Sequence, residues 1–294
     1  MKMVKRLLLL LPVLAGGCRT APPEERAETR LRAEIAASDG YRQVRAAEAL
    51  ALPCPAFPAD SPEPAVRIGQ YRVRVAAGQS EYGEQIRKAA LDPAFPARCH
   101  ALESAAKLRL AFSAPEQEKL RALAAGPDKA AAGYALWVLA ANRDAEAQQR
   151  LTRELETRGP LAECCAYASG FLPELPKERR AALARLAAEN NQTAAFALWA
   201  LARHGAADAA EVRKRLAALP PDVPEKILRF RLAALGEAGT IEDLSRLVPY
   251  LDSPEPETVN AAAGAILAIR RKGDSEEALR PPPNLLPTGS VPVR

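Results

Sequence analysis

A leucine recurs along this chain at nearly constant spacing, and this repetition constrains the fold more than any other feature. Steps of 31, 32, 33 and 31 residues separate Leu120, Leu151, Leu183, Leu216 and Leu247. In the intervening stretches a second position recurs at a similar interval, occupied by Tyr134, Cys165, Phe196 and Phe230. A fixed period in the low thirties, made of two helices, is the mark of an α-solenoid. The sequence therefore predicts an all-α fold of stacked helix pairs.

The composition agrees with closely packed helices. Aromatic residues are only 5% of the chain, while Ala and Leu, the best helix formers, are abundant. Trp137 and Trp199 follow Tyr134 and Phe196 by three residues, which predicts buried positions on the same helix faces. The pattern predicts five helix pairs, near 98–125, 128–157, 160–189, 191–219 and 223–251, and a last helix at 255–271.

The stretch 228–269 resembles a bacterial HEAT-type repeat of the short, PBS-lyase HEAT-like form. The matching segments are "AALGEAG", "LSRLVPYL" and "DSPEPETVNAAAGAIL". Gly236 and Gly239 are expected to close the first helix, and Glu255 and Glu257 favour the positive end of the helix after it. The tetratricopeptide repeat has a similar length, but its Trp–Leu–Gly–Tyr signature is missing. The resemblance implies a right-handed solenoid.

The HEAT-like resemblance also implies a binding surface. In that family the second helix of each repeat contributes to an extended concave face. By analogy, the candidate partner-facing residues are the arginines of the second helices, namely Arg121, Arg150, Arg153, Arg185, Arg213 and Arg215. An arginine-rich helix face that is simply solvated is the alternative.

The N-terminus has the layout of a secretory signal. "MKMVKR" is positively charged, "LLLLLPVL" is apolar, and "AGG" supplies small residues. The apolar run of about 11 residues is shorter than the roughly 20 that a membrane-spanning helix needs. Removing residues 1–17 takes away three basic side chains and leaves 38 basic against 36 acidic ones. That balance argues against nucleic acid as a partner.

Cys18 follows the small residues directly, and this junction resembles the bacterial lipoprotein lipobox. Leu14 stands one place further out than the usual pattern has it. The resemblance implies diacylglycerol and palmitate-type acylation at Cys18, which anchors the chain to a membrane. Because Arg19 is not the Asp associated with inner-membrane retention, the expected location is the outer membrane, facing the periplasm. An ordinary cleaved signal, with Cys18 left as a thiol, is the alternative.

The remaining segments complete the predicted organisation. After the signal at 1–17, residues 18–52 are charged and helix-prone and predict a lipid-anchored helical tether, or a first helix leaning on the body. The proline-rich segment 53–97 is predicted to be irregular, with a short extended piece in "VRIGQYRVRV". The repeats fill 98–271, and the tail 272–294 is predicted to be disordered.

Four further cysteines remain in what would be an oxidising compartment. Cys164 and Cys165 are neighbours in a predicted helix, with Cα atoms about 3.8 Å apart, closer than a normal bridge needs. Cys99 lies two repeats from them, so Cys54–Cys99 is the expected disulfide. Cys165, in the recurring apolar position, is expected to be an inert core thiol.

The motifs of common catalytic sites are missing from the sequence. Neither a phosphate-binding glycine loop, nor Gly-x-Ser-x-Gly, nor His-Glu-x-x-His occurs. Cys99 and His100 have no second pair for a metal, and His204 fits a helix C-terminus. We expect a non-catalytic scaffold that binds envelope proteins, without metal or cofactor. The alternatives are a thiol-dependent redox protein or enzyme using Cys164/Cys165 or Cys99/His100, and a small-molecule carrier.

Overall fold

The computed structural model describes residues 21–38, 40–51, 57 and 59–279, and all regular structure among them is helical. Fifteen α-helices, named α1 to α15 in chain order, account for most of these residues. The prediction of an all-α fold is confirmed. Cys18, Cys54 and residues 280–294 lie outside the described part. The lipid site, the Cys54–Cys99 bridge and disorder over 280–294 therefore stay predictions. The prediction of a disordered tail over 272–294 is wrong for 272–279, because the last helix, α15, continues to Leu279.

Eight helices form an inner layer in which each packs against the next along the chain. They are α2 (Tyr41–Leu50), α3 (Pro64–Ala76), α5 (Arg98–Leu108), α7 (Lys129–Ala141), α9 (Ala162–Ser169), α11 (Gln192–Arg203), α13 (Glu225–Ala238) and α15 (Pro256–Leu279). The last of them, α15, packs back onto α2. This contact closes the inner layer into a ring.

The other helices form an outer layer, and each packs against the inner helix that follows it. They are α1 (Pro23–Ala37), α4 (Tyr82–Leu91), α6 (Ala114–Ala124), α8 (Ala145–Thr157), α10 (Lys177–Leu186), α12 (Ala209–Ala217) and α14 (Leu244–Leu247). Short 3₁₀ segments, Ile241–Asp243 and Val248–Asp252, flank α14. The helix pairs from α5 onward lie within the ranges expected from the leucine period.

Aspartate and asparagine side chains fix where several of these helices begin. Asp128, Asp144, Asn191 and Asp208 accept hydrogen bonds from backbone N–H groups in the first turns of α7, α8, α11 and α12. A cap of this kind stabilises a helix by about 0.5–2 kcal/mol. The helix boundaries are therefore encoded locally, which is why the period alone predicts them well.

The first helix closes the ring instead of acting as a tether. Helix α1 packs against both α2 and α15, and Leu31 and Ile35 on its inward face are buried. Arg26 pairs with Asp252 at 2.9 Å, across 226 positions of the chain. Among the described residues of 18–52 a tether is not found, and the alternative, a first helix leaning on the body, is confirmed, because α1 buries its narrow apolar stripe against α2 and α15.

Residues 53–97 are also more regular than predicted. They contain α3 and α4, so the expected extended piece in 66–75 is helical. Pro64 occupies the first turn of α3, where the missing N–H costs nothing. Val66 and Val73 are both buried and lie two turns apart on one helix face. The alternation of valine and arginine suggested a strand, but these apolar side chains follow the helical period.

Two glycines allow inner helices to approach closely. Gly236 does not end a helix as expected, because α13 continues to Ala238. A Cβ at Gly236 would lie 2.7 Å from the Cα of Ala265 on α15. A Cβ at Gly69 on α3 would lie 2.8 Å from a methyl of Val44 on α2. Both glycines therefore act through packing between neighbouring helices of the ring.

Candidate functional site

A cavity of about 960 Å³ lies at the centre of the ring, and all eight inner helices contribute to its wall. On each helix the lining residues follow helical spacing, as in His100, Glu103 and Lys107 on α5. A volume of this size is at the upper end of the range for sites that enclose a small ligand. The cavity is therefore the candidate functional site.

The inner helices run in the same direction, so corresponding turns face one another. Gln192, at the start of α11, donates a hydrogen bond to Glu163, at the start of α9. Arg203, at the end of α11, pairs at 3.3 Å with Glu237, near the end of α13. Because turns at the same height meet, a recurring side chain in the repeats forms a continuous strip around the cavity.

Half of the aromatic residues in the chain, seven of fourteen, line this cavity. Five of them form one continuous surface, here called the aromatic wall: Tyr167, Phe171, Phe196, Trp199 and Phe230. The ring centroids of Phe196 and Phe230 are 4.4 Å apart in an edge-to-face arrangement. Aromatic contacts of this kind contribute about 0.5–1.5 kcal/mol beyond burial. The wall is thus a preorganised apolar surface.

Tyr167 joins the aromatic wall to a buried ionic group. Its hydroxyl donates to Glu103 Oε1 at 2.9 Å, and Lys107 Nζ contacts the same oxygen at 2.8 Å. Burial opposes ionisation of Glu103, but Lys107, His100 and Arg72 hold its pKa well below the ordinary value. Burial also raises the pKa of Tyr167 well above its usual range. At neutral pH the pair is therefore a neutral phenol bound to a carboxylate.

Arg72 is a second buried charged residue beside the cavity, and its side chain is 3% exposed. The guanidinium donates to Glu48 at 2.6 Å, to Ser104 Oγ at 2.7 Å and to Tyr41 Oη at 3.1 Å. Burial is the main reason that the pKa of Tyr41 rises to about 12. These bonds hold α2, α3 and α5 together beside the cavity.

Arg45 and Arg229 meet at one carboxylate, and with Glu257 they form what is here called the paired-arginine cluster. Both guanidiniums donate to Oε2 of Glu257. Over the whole lining there are eight basic and five acidic side chains. One carboxylate between two guanidiniums leaves an unbalanced positive charge, so this part of the cavity is electropositive.

Two N–H groups at this cluster lack hydrogen-bond partners among the described residues. They are Nε of Arg229 and the amide nitrogen of Asn260, whose side chain also lines the cavity. Asn260 is only 4% exposed. A buried donor without an acceptor costs about 1–3 kcal/mol, and both nitrogens are shielded from the open space of the cavity in this structure.

The predicted partner-facing arginines all lie on outer helices, and none of the six lines the cavity. Arg121 pairs with Asp144 at 2.8 Å, and Arg213 pairs with Asp243 at 3.0 Å. Arg215 binds Glu211 and the carbonyl of Ala187. These three side chains connect neighbouring parts of the fold. Within the described part of the chain, the other three take part in no ion pair: Arg150, Arg153 and Arg185.

The expectation that Cys165 is a core thiol is confirmed, whereas the sequence did not indicate where Cys164 lies. Cys164, not Cys165, faces the cavity near Tyr134, while Cys165 is buried between helices. Burial raises the pKa of the Cys164 thiol to about 12 and that of Cys165 well above its ordinary value. The pKa of Cys99 is raised as well, mainly by burial. Thiolates are therefore scarce at neutral pH at all three sites, and this does not favour thiolate chemistry.

His100 lines the cavity, and His204 does not. Nδ1 of His100 is 3.7 Å from Glu103 Oε2, and its ring lies 5.1 Å from that of Tyr41. His204 contacts the carbonyl of Ser169 at 3.0 Å at the end of α11, a structural position. Among the described residues, no group of three or more His, Cys, Asp or Glu side chains is arranged to hold a metal ion.

Most of the cavity residues were missed at the level of sequence, although a signal for them exists. The recurring position of Tyr134, Phe196 and Phe230 is apolar in the sequence; Phe196 is buried in the core, and all three residues also border the cavity. Glu103 and Lys107 follow His100 by three and seven residues, which places them on its helix face. A polar and aromatic stripe repeated on the first helix of each pair marks the interior of the ring.

No protein-family model, curated protein or solved structure matches this chain. Among the described helices, none is long and apolar enough to cross a membrane. The chain is all-helical in its described part, and its inner helices line a charged and aromatic central cavity.

Proposed function

We propose that this chain is a non-catalytic binding protein that holds a small ligand inside its ring of helices. The observation that carries the proposal is the joint lining of one central, partly open cavity by half of the chain's aromatic residues and by an excess of basic side chains. Large apolar cavities with a few convergent polar groups are the usual form of ligand sites. This role replaces the outer arginine face as the main proposed binding surface.

The polar groups of the cavity support binding over catalysis. The carboxyls of Glu103 and Glu48 have lowered pKa values, so neither is a proton donor at neutral pH. The Tyr167 phenol keeps its proton and is already bonded to Glu103. Groups held this firmly in one protonation state position a ligand by hydrogen bonds and charge, whereas general acid–base catalysis needs a pKa close to the working pH.

The fold is further proposed to be a right-handed array of HEAT-like helix pairs whose ends meet. The leucine period and the resemblance of 228–269 to the short HEAT-type repeat support this proposal. A small rotation per repeat curves such an array, and eight inner helices then complete one turn. Because the interior is built from the first helix of each pair, the face used for binding differs from that inferred by family analogy.

Filling the cavity tests the proposed function. The neutral dye N-phenyl-1-naphthylamine, which fluoresces in apolar surroundings, is expected to bind the chain saturably at one site. Ala268 lines the cavity on α15, so Ala268→Trp is expected to weaken dye binding at least tenfold by occupying the space. Ala184→Trp, at an exposed position on the outer helix α10, is the matched control and is expected to bind as the wild type does.

All proteins in this comparison must melt cooperatively. If Ala268→Trp does not fold, Ala261→Trp, which also lines the cavity from α15, takes its place. A wild-type chain that binds neither this neutral dye nor an anionic aromatic dye would contradict the proposed function. So would a folded Ala268→Trp variant that binds the dye as tightly as Ala184→Trp does.

Anchoring in the bacterial outer membrane, facing the periplasm, is the second part of the proposal. It rests on the sequence around Cys18. The full chain, expressed in a bacterium with labelled palmitate, is expected to incorporate label and to sediment with membranes. Cys18→Ser is expected to lose both properties, because each buried methylene of an acyl chain contributes about 0.8 kcal/mol of membrane affinity. Cys99→Ser is the control and should remain labelled. Unchanged labelling of Cys18→Ser would contradict the anchor.

A further inference from the structure

We propose that the central cavity selects a small organic anion, whose acidic head group binds the paired-arginine cluster and whose flat apolar body lies on the aromatic wall. This inference rests on the proposed function, namely that a ligand binds inside the ring, and adds the chemical class of that ligand. The class follows from the charges, the unpartnered donors and the shape of the space.

The head group is assigned by the charge at the paired-arginine cluster. Arg45 and Arg229 share Glu257, so two positive charges face one negative charge. The side chains of Arg229 and Glu257 are 17% and 21% exposed, so solvent screens them less than a surface pair. A ligand carboxylate or sulfonate at this point restores the charge balance. Planar guanidinium groups suit such oxygens because they offer paired N–H donors.

Two unpartnered donors lie close to the paired-arginine cluster. Nε of Arg229 and the amide nitrogen of Asn260 are both buried without an acceptor among the described residues. Asn260 lies one turn after Glu257 on α15, so both side chains project from the same helix face. Both nitrogens are shielded from the cavity, so the oxygen atoms of an anion accept from them only after these side chains turn towards it.

The shape of the space assigns the body of the ligand. Between Asn260 and Arg271, the residues of helix α15 that line the cavity are all small: Ala261, Gly264, Ala265 and Ala268. The neighbouring helices α11 and α13 present Trp199 and Phe230, whose ring centroids are 5.7 Å apart. The small side chains of α15 beside the aromatic wall leave room for a flat ligand. Stacking of that ligand on the aromatic rings adds to the free energy of apolar burial.

Cations beside the aromatic wall extend the preference for an anion beyond the head-group position. Lys107 Nζ lies 4.9 Å from the centroid of Phe171, and Lys226 Nζ lies 5.2 Å from that of Phe196. Arg203 lies 5.6 Å from the ring of Trp199. Each of these cations also pairs with a carboxylate of the lining, so the attraction for anions comes from the net excess of eight basic over five acidic side chains. An anionic ligand is therefore attracted before it reaches the cluster.

A matched pair of dyes tests this inference. The probes are 8-anilinonaphthalene-1-sulfonate, which is an aromatic anion, and N-phenyl-1-naphthylamine, which has the same aromatic body without the sulfonate. We expect one saturable site per chain and a Kd for the anion at least tenfold lower than for the neutral dye. Arg229→Gln is expected to raise the Kd of the anion at least tenfold and to change that of the neutral dye less than threefold.

Three further variants make the result specific. Phe230→Ala is expected to weaken both dyes, and Arg185→Gln, at an exposed position on α10, is expected to change neither. Arg45→Gln replaces Arg229→Gln if the latter does not melt cooperatively.

The inference would be overturned by equal affinity for the two dyes, or by an equal loss of affinity for both dyes in the arginine variants. If the neutral dye binds and the anion has no advantage, only the ligand class is wrong. If neither dye binds, the proposed function is wrong as well.

Discussion

Replacing Arg72 by methionine is expected to lower the free energy of unfolding by about 3–5 kcal/mol, since removing one partner of a buried ion pair has this effect. The guanidinium is bonded to Glu48, Ser104 and Tyr41, and its side chain is almost fully buried. Methionine fills similar space but leaves these three oxygens without their donor. Urea unfolding followed by circular dichroism measures the change.

The acid dependence of Arg72→Met gives a second readout. Burial opposes ionisation of Glu48, but Arg72 and Lys107 lower its pKa, and Arg72 also helps to lower that of Glu103. A carboxyl with a lowered folded-state pKa contributes stability that is complete above its unfolded-state pKa, about 4.3, and is lost as the pH falls through the folded-state value. The difference between wild type and variant should therefore be largest near neutral pH and shrink in acid.

The control for Arg72→Met is Arg42→Met, which removes a guanidinium whose side chain is 47% exposed. It is expected to change the free energy of unfolding by no more than about 0.5 kcal/mol. A loss below about 1 kcal/mol in Arg72→Met, or a loss that does not depend on pH between 3 and 7, would contradict the role given to this cluster.

Local signals explain how much of the fold was predictable. The helix pairs from α5 to α13 follow from the leucine period and from caps such as Asp128 and Asn191, because both act within one or two turns. The helix α3 was missed because Val73 and Val75 alternate with arginines, a pattern that also fits a strand. Contacts with α2 and α5 decide in favour of the helix.

Closure of the ring was not predictable from the repeats. It depends on contacts between distant parts of the chain, such as Arg45 with Glu257, which are 212 positions apart. A period specifies that neighbouring helix pairs stack, but the curvature is a small rotation that accumulates over all of them. Leu31 on α1, for example, is buried in the closed ring, where α15 lies next to α1.

The candidate site was not predictable from the sequence either, because it exists only when the ring is closed. In an open array, a face carrying Glu103 and Lys107 is usually solvated, and a stripe containing Phe196 and Phe230 is usually core. A closed ring turns both into the lining of one cavity. The prediction that arginines on the second helices face a partner followed the family analogy. Those helices form the outer layer, which faces away from this cavity.

Ring closure can be measured by a disulfide between the two ends of the ring. A Cβ built on Gly264 of α15 lies 3.1 Å from the Cβ of Ala49 on α2. Disulfides need Cβ atoms about 3.5–4.5 Å apart, so a small adjustment suffices. An open solenoid would keep these positions far apart, since helices of non-adjacent repeats do not touch.

The most direct test is therefore the double variant Ala49→Cys/Gly264→Cys, oxidised mildly at low protein concentration and digested without reduction for mass spectrometry. A closed ring predicts a peptide pair joined through positions 49 and 264 in most monomeric chains. The control pair, Ala49→Cys/Ala184→Cys, places the second thiol on an outer helix and should give no such link. Efficient linkage of 49 to 264 with no linkage of 49 to 184 is the expected result. Folded, monomeric protein without the 49–264 link would contradict the ring and, with it, the cavity that the proposed function requires.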